Sequence, residues 1–113
     1  MKNGLLSFSL IIAFMSSCSY PQLEFEKPDG KYNFVKKGKK FCVSLPEDHT
    51  TKYLWSVSHT YNKSTISYIQ SVFHGKTVEF NFEAIKPGKT EMTFYLYSNK
   101  DTSEVKSFLV EVE

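Results

Sequence analysis

The stretch Val78-Glu79-Phe80-Asn81-Phe82-Glu83-Ala84 decides the fold class of this chain. Apolar and polar residues alternate along it with a period of two, which is typical of a β-strand with one face in a core and the other in solvent. Its four apolar residues predict the core face, and its three polar residues predict the solvent face. The next residues, Lys86-Pro87-Gly88-Lys89, contain the Pro and Gly typical of a turn.

The same alternation continues from Leu23 to the end of the chain, with turn signals about every 8–12 residues. No segment outside the N-terminal leader keeps the 3.6-residue apolar period of a helix. The pattern favours an all-β domain of seven or eight strands in two packed antiparallel sheets, with a closed barrel as the alternative. Trp55 is expected to fill the centre between the sheets. The predicted strands lie at 23–25, 32–35, 41–45, 53–57, 66–73, 78–84 and 90–97, and the last one carries Phe108, Val110 and Val112 after a polar loop at 98–103.

Composition excludes several classes of function. All fourteen basic residues are Lys, so bidentate recognition of phosphate or guanine by Arg is ruled out. Without the leader residue Lys2, 14 − 1 = 13 basic residues face 12 acidic ones, which argues against a nucleic-acid partner. The basic cluster at 36–40 is interpreted as a solvated turn.

Residues 1–17 are typical of an export signal. Leu5 to Met15 forms an apolar run that would rise about 16 Å as a helix, too short for a bilayer core of about 30 Å. Met15-Ser16-Ser17-Cys18 resembles the lipobox of bacterial lipoproteins. We therefore expect a signal peptide at 1–17, a tether at 18–22 and one domain at 23–113. The resemblance implies export across the inner membrane and a membrane anchor through lipidated Cys18, at the periplasm or the cell surface.

The alternative is an ordinary secretory signal cut near Ser17 or Ser19, which would leave a soluble protein. Cys18 and Cys42 could then pair in an oxidising compartment. Cys42 lies in the apolar run Phe41-Cys42-Val43, so it is expected to be buried and not a reactive thiol.

Residues with catalytic chemistry are few. His49, His59 and His74 have none of the spacings that would clamp a metal from one element. The sequence also has neither a Gly-x-Ser-x-Gly nucleophile elbow nor a Gly-rich phosphate loop. We predict no enzyme activity, no metal and no cofactor.

Two segments carry a family resemblance. The first is residues 45–55, Leu-Pro-Glu-Asp-His-Thr-Thr-Lys-Tyr-Leu-Trp, and the second is residues 77–90. They resemble two sequence motifs of the chagasin family of cysteine-peptidase inhibitors, and they occur in the same order as in that family. The first region of that family is a Leu-containing strand, an Asn-Pro-Thr-Thr-Gly loop, an aromatic residue, one further residue and Trp. The second is a Phe-x-Phe-x-Ala-x-x-x-Gly strand and turn. The resemblance spans about residues 32–113 and implies an immunoglobulin-like β-sandwich.

The resemblance also implies a binding surface for a papain-like cysteine peptidase, made by three loops at one end of the sandwich. The 46–52 loop would block the active-site cleft, with Thr50 nearest to the catalytic cysteine. Its expected contact residues are Asp48, His49, Thr50, Thr51 and Lys52. The second loop is expected to contribute His74, Gly75 and Lys76, and the third Ser98, Asn99 and Lys100.

These loops depart from the family pattern, since Lys52 replaces Gly, only Gly75 of a Gly-x-Gly-Gly loop is kept, and the Arg-Pro-Trp loop is absent. The alternative hypothesis is a non-inhibitory immunoglobulin-like lipoprotein module that binds an envelope protein or a glycan, with Tyr95 and Tyr97 exposed on one strand. In either case we expect a monomer.

Overall fold

The computed structural model describes residues 32–99 and 101–113, and these residues form seven β-strands and no helix. The strands are β1 (Asn33–Val35), β2 (Lys40–Pro46), β3 (Leu54–Val57), β4 (Ile66–Phe73), β5 (Thr77–Ala84), β6 (Gly88–Ser98) and β7 (Asp101–Val112). They confirm the predicted all-β sandwich. The leader, the tether with Cys18 and the predicted strand at 23–25 lie outside the described residues.

Two sheets pack face to face. One has four strands in the order β1-β7-β6-β3, and the other has three strands in the order β2-β5-β4. Pairing is antiparallel except for β1, which runs parallel to β7. Sequence neighbours β4 and β5, and likewise β6 and β7, form hairpins within one sheet. The β1–β2, β2–β3, β3–β4 and β5–β6 connections cross between the two sheets.

The core is a network of phenylalanines between the sheets. The ring of Phe82 on β5 lies 5.5 Å from that of Phe41 and 6.2 Å from that of Phe94, which in turn lies 5.4 Å from Phe108. Trp55 belongs to the same core and is 6% exposed, which confirms that it is buried. Trp55 is the second residue of β3, directly after the β2–β3 connection.

The face of β5 that was predicted to be exposed to solvent is largely buried in the structure. Glu79 and Asn81 do lie on the face opposite the core, but they are only 5% and 3% exposed. The reason is that β5 is the central strand, with β2 and β4 on either side. His74 bonds to Glu79, and Cys42 sits directly opposite Asn81. Cys42 is fully buried and disulfide-bonded.

The polar loop predicted at 98–103 is also shorter than expected. Asp101, Thr102 and Glu104 already pair with Ser98, Tyr97 and Leu96 of β6. Their polar side chains are typical of a loop sequence, but backbone hydrogen bonds to β6 keep the segment in the sheet. Pairing with a neighbouring strand therefore outweighs the low β propensity of these residues.

Candidate functional site

Three connections lie together at one end of the sandwich, which we call the tip. The central loop comprises residues 47–53 between β2 and β3, the second loop residues 74–76 between β4 and β5, and the third loop residues 99–100 between β6 and β7. The register requires this arrangement, since the last residue of β2, Pro46, pairs with Thr77 at the start of β5. On the other sheet Leu54, the first residue of β3, pairs with Tyr97 near the end of β6.

Asp48 orders the exposed part of the central loop. Its carboxylate Oδ1 accepts hydrogen bonds from the Thr50 N–H at 2.9 Å and from the Thr50 hydroxyl at 2.6 Å. Its carbonyl accepts from the Thr51 N–H and the Thr51 hydroxyl, at 3.1 Å and 2.8 Å. An Asp side chain that bonds the backbone two residues on makes a turn of its own, so the loop is shaped by local contacts without Pro or Gly.

The same contacts set the protonation of Asp48. The hydrogen bond from the Thr50 hydroxyl, and next the one from the Thr50 N–H, lower the pKa of Asp48 below its ordinary value of 3.8. The turn therefore holds a carboxylate at neutral pH.

Glu47 joins the central loop to the framework. Its side chain is 5% exposed, and Oε1 accepts the Trp55 N–H at 2.7 Å. The Glu47 N–H donates to the Lys76 carbonyl at 3.0 Å, which ties the central loop to the second loop. The Trp55 indole N–H donates to the Pro46 carbonyl at 2.7 Å. One buried carboxylate and one indole thus hold both ends of the loop.

His49 is fixed from two sides. Its Nε2 lies 2.6 Å from Glu47 Oε2, and its ring stacks on that of Phe73, with centroids 3.6 Å apart and an interplanar angle of 8°. Phe73 is the last residue of β4, so this stack connects the central loop to the strand that precedes the second loop. His49 stands where the family pattern has Pro, and these contacts restrain the chain there.

The second loop is a tight hairpin turn. The His74 N–H donates to the Thr77 carbonyl at 2.8 Å, and Gly75 has φ +91°. A positive φ at the first central position is what two-residue hairpins require, so Gly is the suitable residue. His74 Nε2 lies 2.8 Å from the buried carboxylate of Glu79. Lys76 follows as an exposed residue.

The third loop is bound to the central loop by one side-chain contact. The Tyr53 hydroxyl donates to Asp101 Oδ2 at 2.7 Å. This hydrogen bond, together with the carboxylate charge, raises the pKa of Tyr53 above its ordinary value of 10.0. Ser98 is the last residue of β6, Asn99 is an exposed turn residue, and Lys100 lies outside the described residues.

A groove of about 590 Å³ lies at the tip. Its lining residues come from the central and second loops and from strands β2, β6 and β7: Pro46, Glu47, Asp48, Thr51, Tyr53, Gly75, Lys76, Leu96 and Ser103. Thr50 and Lys52 are exposed residues of the central loop that do not line it. The structure thus brings Asp48 and Thr51 of the central loop and Gly75 and Lys76 of the second loop to one groove.

Sequence reasoning did not predict the contacts that hold this surface in place, which are made by Glu47, Tyr53, Phe73 and Asp101. An acidic residue two positions before a His is too common a pattern to indicate a loop anchor. The Tyr53–Asp101 and His49–Phe73 contacts join residues far apart in sequence. Within residues 32–99 and 101–113, no group of three His, Cys, Asp or Glu side chains could hold a metal ion.

A family model described as "Chagasin family peptidase inhibitor I42" matches residues 34–112, which is most of the chain. The chain belongs to the chagasin family of peptidase inhibitors. No curated protein matches it significantly.

Solved structures show the same chagasin-like fold. The cysteine protease inhibitor EhICP2 from Entamoeba histolytica is 18% identical, with a TM-score of 0.69 over 82% of this chain and 94% of that one. PbICP-C, solved in complex with falcipain-2, is 16% identical, with a TM-score of 0.60 over 82% of this chain and 99% of that one. Amebosin is also 16% identical, with a TM-score of 0.54 over 82% and 98% of the two chains. At these identities the likeness supports the fold.

Proposed function

We propose that this chagasin-family protein inhibits papain-like cysteine peptidases by placing its central loop in the substrate cleft. The observation that supports this most is the tip itself, where three loops converge and the central one is both exposed and held by the Asp48 turn and the Glu47 anchor. A loop that is already ordered avoids the entropic cost of ordering on binding, which favours affinity. The partner of PbICP-C in its solved complex, falcipain-2, gives the proposal a precedent in this fold.

Thr50 is the residue we place closest to the reacting cysteine of the peptidase. It is exposed, and its hydroxyl donates to Asp48, which leaves the oxygen free to accept a hydrogen bond from a partner. The remaining proposed contacts are Asp48, His49, Thr51 and Lys52 of the central loop, His74, Gly75 and Lys76 of the second, and Ser98, Asn99 and Lys100 of the third.

Papain inhibition by the purified chain of residues 18–113, which keeps both cysteines, tests the proposal. Thr50→Ala should raise the inhibition constant about tenfold, corresponding to roughly 1.4 kcal/mol, and leave thermal unfolding unchanged. Thr60→Ala is the matched control, because Thr60 is an exposed threonine in the β3–β4 connection at the opposite end of the sandwich. Full papain activity at micromolar wild-type domain would contradict the proposal, as would equal effects of the two variants.

We propose further that residues 1–17 direct export of the chain, and export argues against a cytosolic function and against a nucleic-acid partner. We also propose that the protein acts as a monomer that binds one peptidase. Within the described ranges, the structure has no apolar helix long enough to cross a bilayer. The anchor that we propose is a lipid on Cys18, and the resemblance of Met15-Ser16-Ser17-Cys18 to a lipobox supports it. Light scattering of the domain, with and without papain, tests the stoichiometry.

The chemical state of Cys18 is open to a direct test. Lipidation consumes the Cys18 thiol, as would a disulfide with Cys42, so the two states exclude each other. The lipobox resemblance supports the lipid, whereas the disulfide-bonded state of Cys42 supports pairing in a chain with two cysteines. Intact mass of the exported protein before and after reduction distinguishes them. A diacylglyceryl mass confirms the anchor, and a mass gain on reduction without lipid overturns it.

A further inference from the structure

Four apolar or aromatic residues, three exposed and one half-buried, form a cluster on the outer face of the four-stranded sheet. We call this cluster, made of Leu54, Tyr95, Tyr97 and Val105, the tyrosine patch. Leu54 pairs directly with Tyr97, and Tyr95 pairs with Val105. Leu54 is 49%, Tyr97 41% and Val105 57% exposed. Tyr95, expected to be exposed like Tyr97, is half-buried, because its ring lies 5.4 Å from that of Tyr97.

The patch faces solvent because of strand alternation. Trp55 and Leu96, the neighbours of Leu54 and Tyr97 along their strands, belong to or pack against the core, so the residues beside them point outward. Among the described residues, no element lies over this face of the sheet. Exposed clusters of this kind mark interaction surfaces more often than isolated apolar residues do.

The patch adjoins the tip. Leu54 directly follows the central loop, and Tyr97 precedes Ser98 at the third loop. Tyr95 and Val105 lie one pleat further along, about 7 Å from them at ~3.4 Å per residue. The cluster therefore begins at the edge of the loop surface and continues down one flank of the sandwich.

The exposed part of the central loop lacks the residues that usually anchor an interface, since it consists of Asp48, His49, Thr50, Thr51 and Lys52. Hot-spot residues of interfaces are enriched in Trp, Tyr and Arg, whereas Thr is under-represented among them and Lys and Asp are depleted from interfaces. The sequence holds no Arg. Aromatic contacts must therefore come from beside the exposed loop residues. The tip offers the half-buried Tyr53 and the exposed Phe73, and the tyrosine patch adds two further tyrosines, with its two aliphatic residues extending the apolar area.

We propose that the tyrosine patch is a second contact area for the same peptidase, which rests on the inhibitory function proposed above. A tip that enters a cleft brings its flank against the wall of that cleft, so a partner contacting the central and third loops is carried onto Leu54 and Tyr97. The occupant of the patch is an apolar or aromatic surface on the rim of the substrate cleft. Tyr97 is its central residue, because it touches both Leu54 and Tyr95.

Papain inhibition by Tyr97→Thr and Leu54→Thr variants tests the proposal. Threonine keeps the β propensity of each position while removing the large side chain. Phe34→Thr is the matched control, because Phe34 is 63% exposed on the same sheet but pairs with Glu111, about 30 Å along β7 from Thr102 at the tip at ~3.4 Å per residue. Tyr97→Thr should raise the inhibition constant about tenfold or more, and Phe34→Thr should leave it unchanged. Unfolding midpoints of all three variants check that the domain is intact.

The outcomes separate this proposal from the inhibitory function. If the wild-type domain inhibits papain and the patch variants inhibit equally well, the patch proposal is overturned while the function stands. If the wild-type domain leaves papain fully active, the inhibitory function fails, and the patch proposal falls with it.

Discussion

Glu47 offers the sharpest test of how the tip is held. Its buried carboxylate accepts the Trp55 N–H at 2.7 Å and lies 2.6 Å from His49 Nε2. Glu47→Ala leaves a buried backbone N–H without an acceptor, which costs about 1–3 kcal/mol. His49 is exposed enough for water to replace its lost bond, with 45% of its side chain accessible. We therefore expect a loss of about 2 kcal/mol, a large part of a total stability of roughly 5–15 kcal/mol.

Two further variants isolate the cause. Glu47→Gln keeps an oxygen that can accept the Trp55 N–H, and it should cost less than about 1 kcal/mol. Glu79→Ala is the matched control, since Glu79 is equally buried and bonded to a histidine, but its carboxylate contacts that side chain and not a backbone N–H. That residue's loss should cost less than Glu47→Ala does.

Urea denaturation measures these differences. With an m-value of about 1–3 kcal/mol/M, a loss of about 2 kcal/mol lowers the midpoint by roughly 1 M. Papain inhibition by Glu47→Ala should weaken as well, because the central loop loses its link to β3. A Glu47→Ala midpoint equal to that of the wild type, or a larger loss for Glu79→Ala, would refute the reasoning.

Three other predictions follow from the geometry of the tip. The pKa of Asp48 is lowered in the folded protein, so its contribution to stability is complete above 3.8 and is lost as the pH falls through the lower folded value. Carboxyl NMR should show Asp48 titrating below 3.8, and Thr50→Val should move that value upward; a normal Asp48 titration would contradict the turn. Asp101→Asn should lower the pKa of Tyr53 toward 10.0, seen by NMR of the Tyr53 ring, and an unchanged value would show that the Tyr53–Asp101 bond is not made. Trp55→Phe keeps most of the apolar burial but removes the indole N–H bound to the Pro46 carbonyl, so urea denaturation should show a loss of about 1 kcal/mol; a loss of 3–5 kcal/mol, the range of Trp→Ala in a core, would mean that packing dominates.

The strand pattern was predictable because alternation reports burial directly. Phe80 and Phe82 predict the core face of β5, and β4 begins and ends where its apolar and β-branched run does. Alternation could not show that Glu79 and Asn81 would be buried on the other face, because that depends on β5 being the central strand. It also could not extend β7 to Asp101, since polar residues there are held by pairing with β6.

The site was predictable only as far as local sequence allowed. The family resemblance predicted that the central and second loops share one surface. The register of β2 with β5 explains why they do. The contacts that shape that surface are tertiary. Phe73 against His49 and Asp101 against Tyr53 join residues 24 and 48 positions apart (73 − 49 = 24, 101 − 53 = 48), and no pattern within one strand predicts them.

Protection of the active-site thiol of papain tests the central claim most directly. The measurement is the rate at which iodoacetamide alkylates that thiol as the 18–113 chain, which keeps both cysteines, is titrated in. If the central loop occupies the cleft, the rate should fall with the fraction of papain bound and approach zero at saturation, and Thr50→Ala should shift the curve to higher concentration. Alkylation at the unprotected rate in a saturated complex would show that the domain binds elsewhere, and would contradict the account.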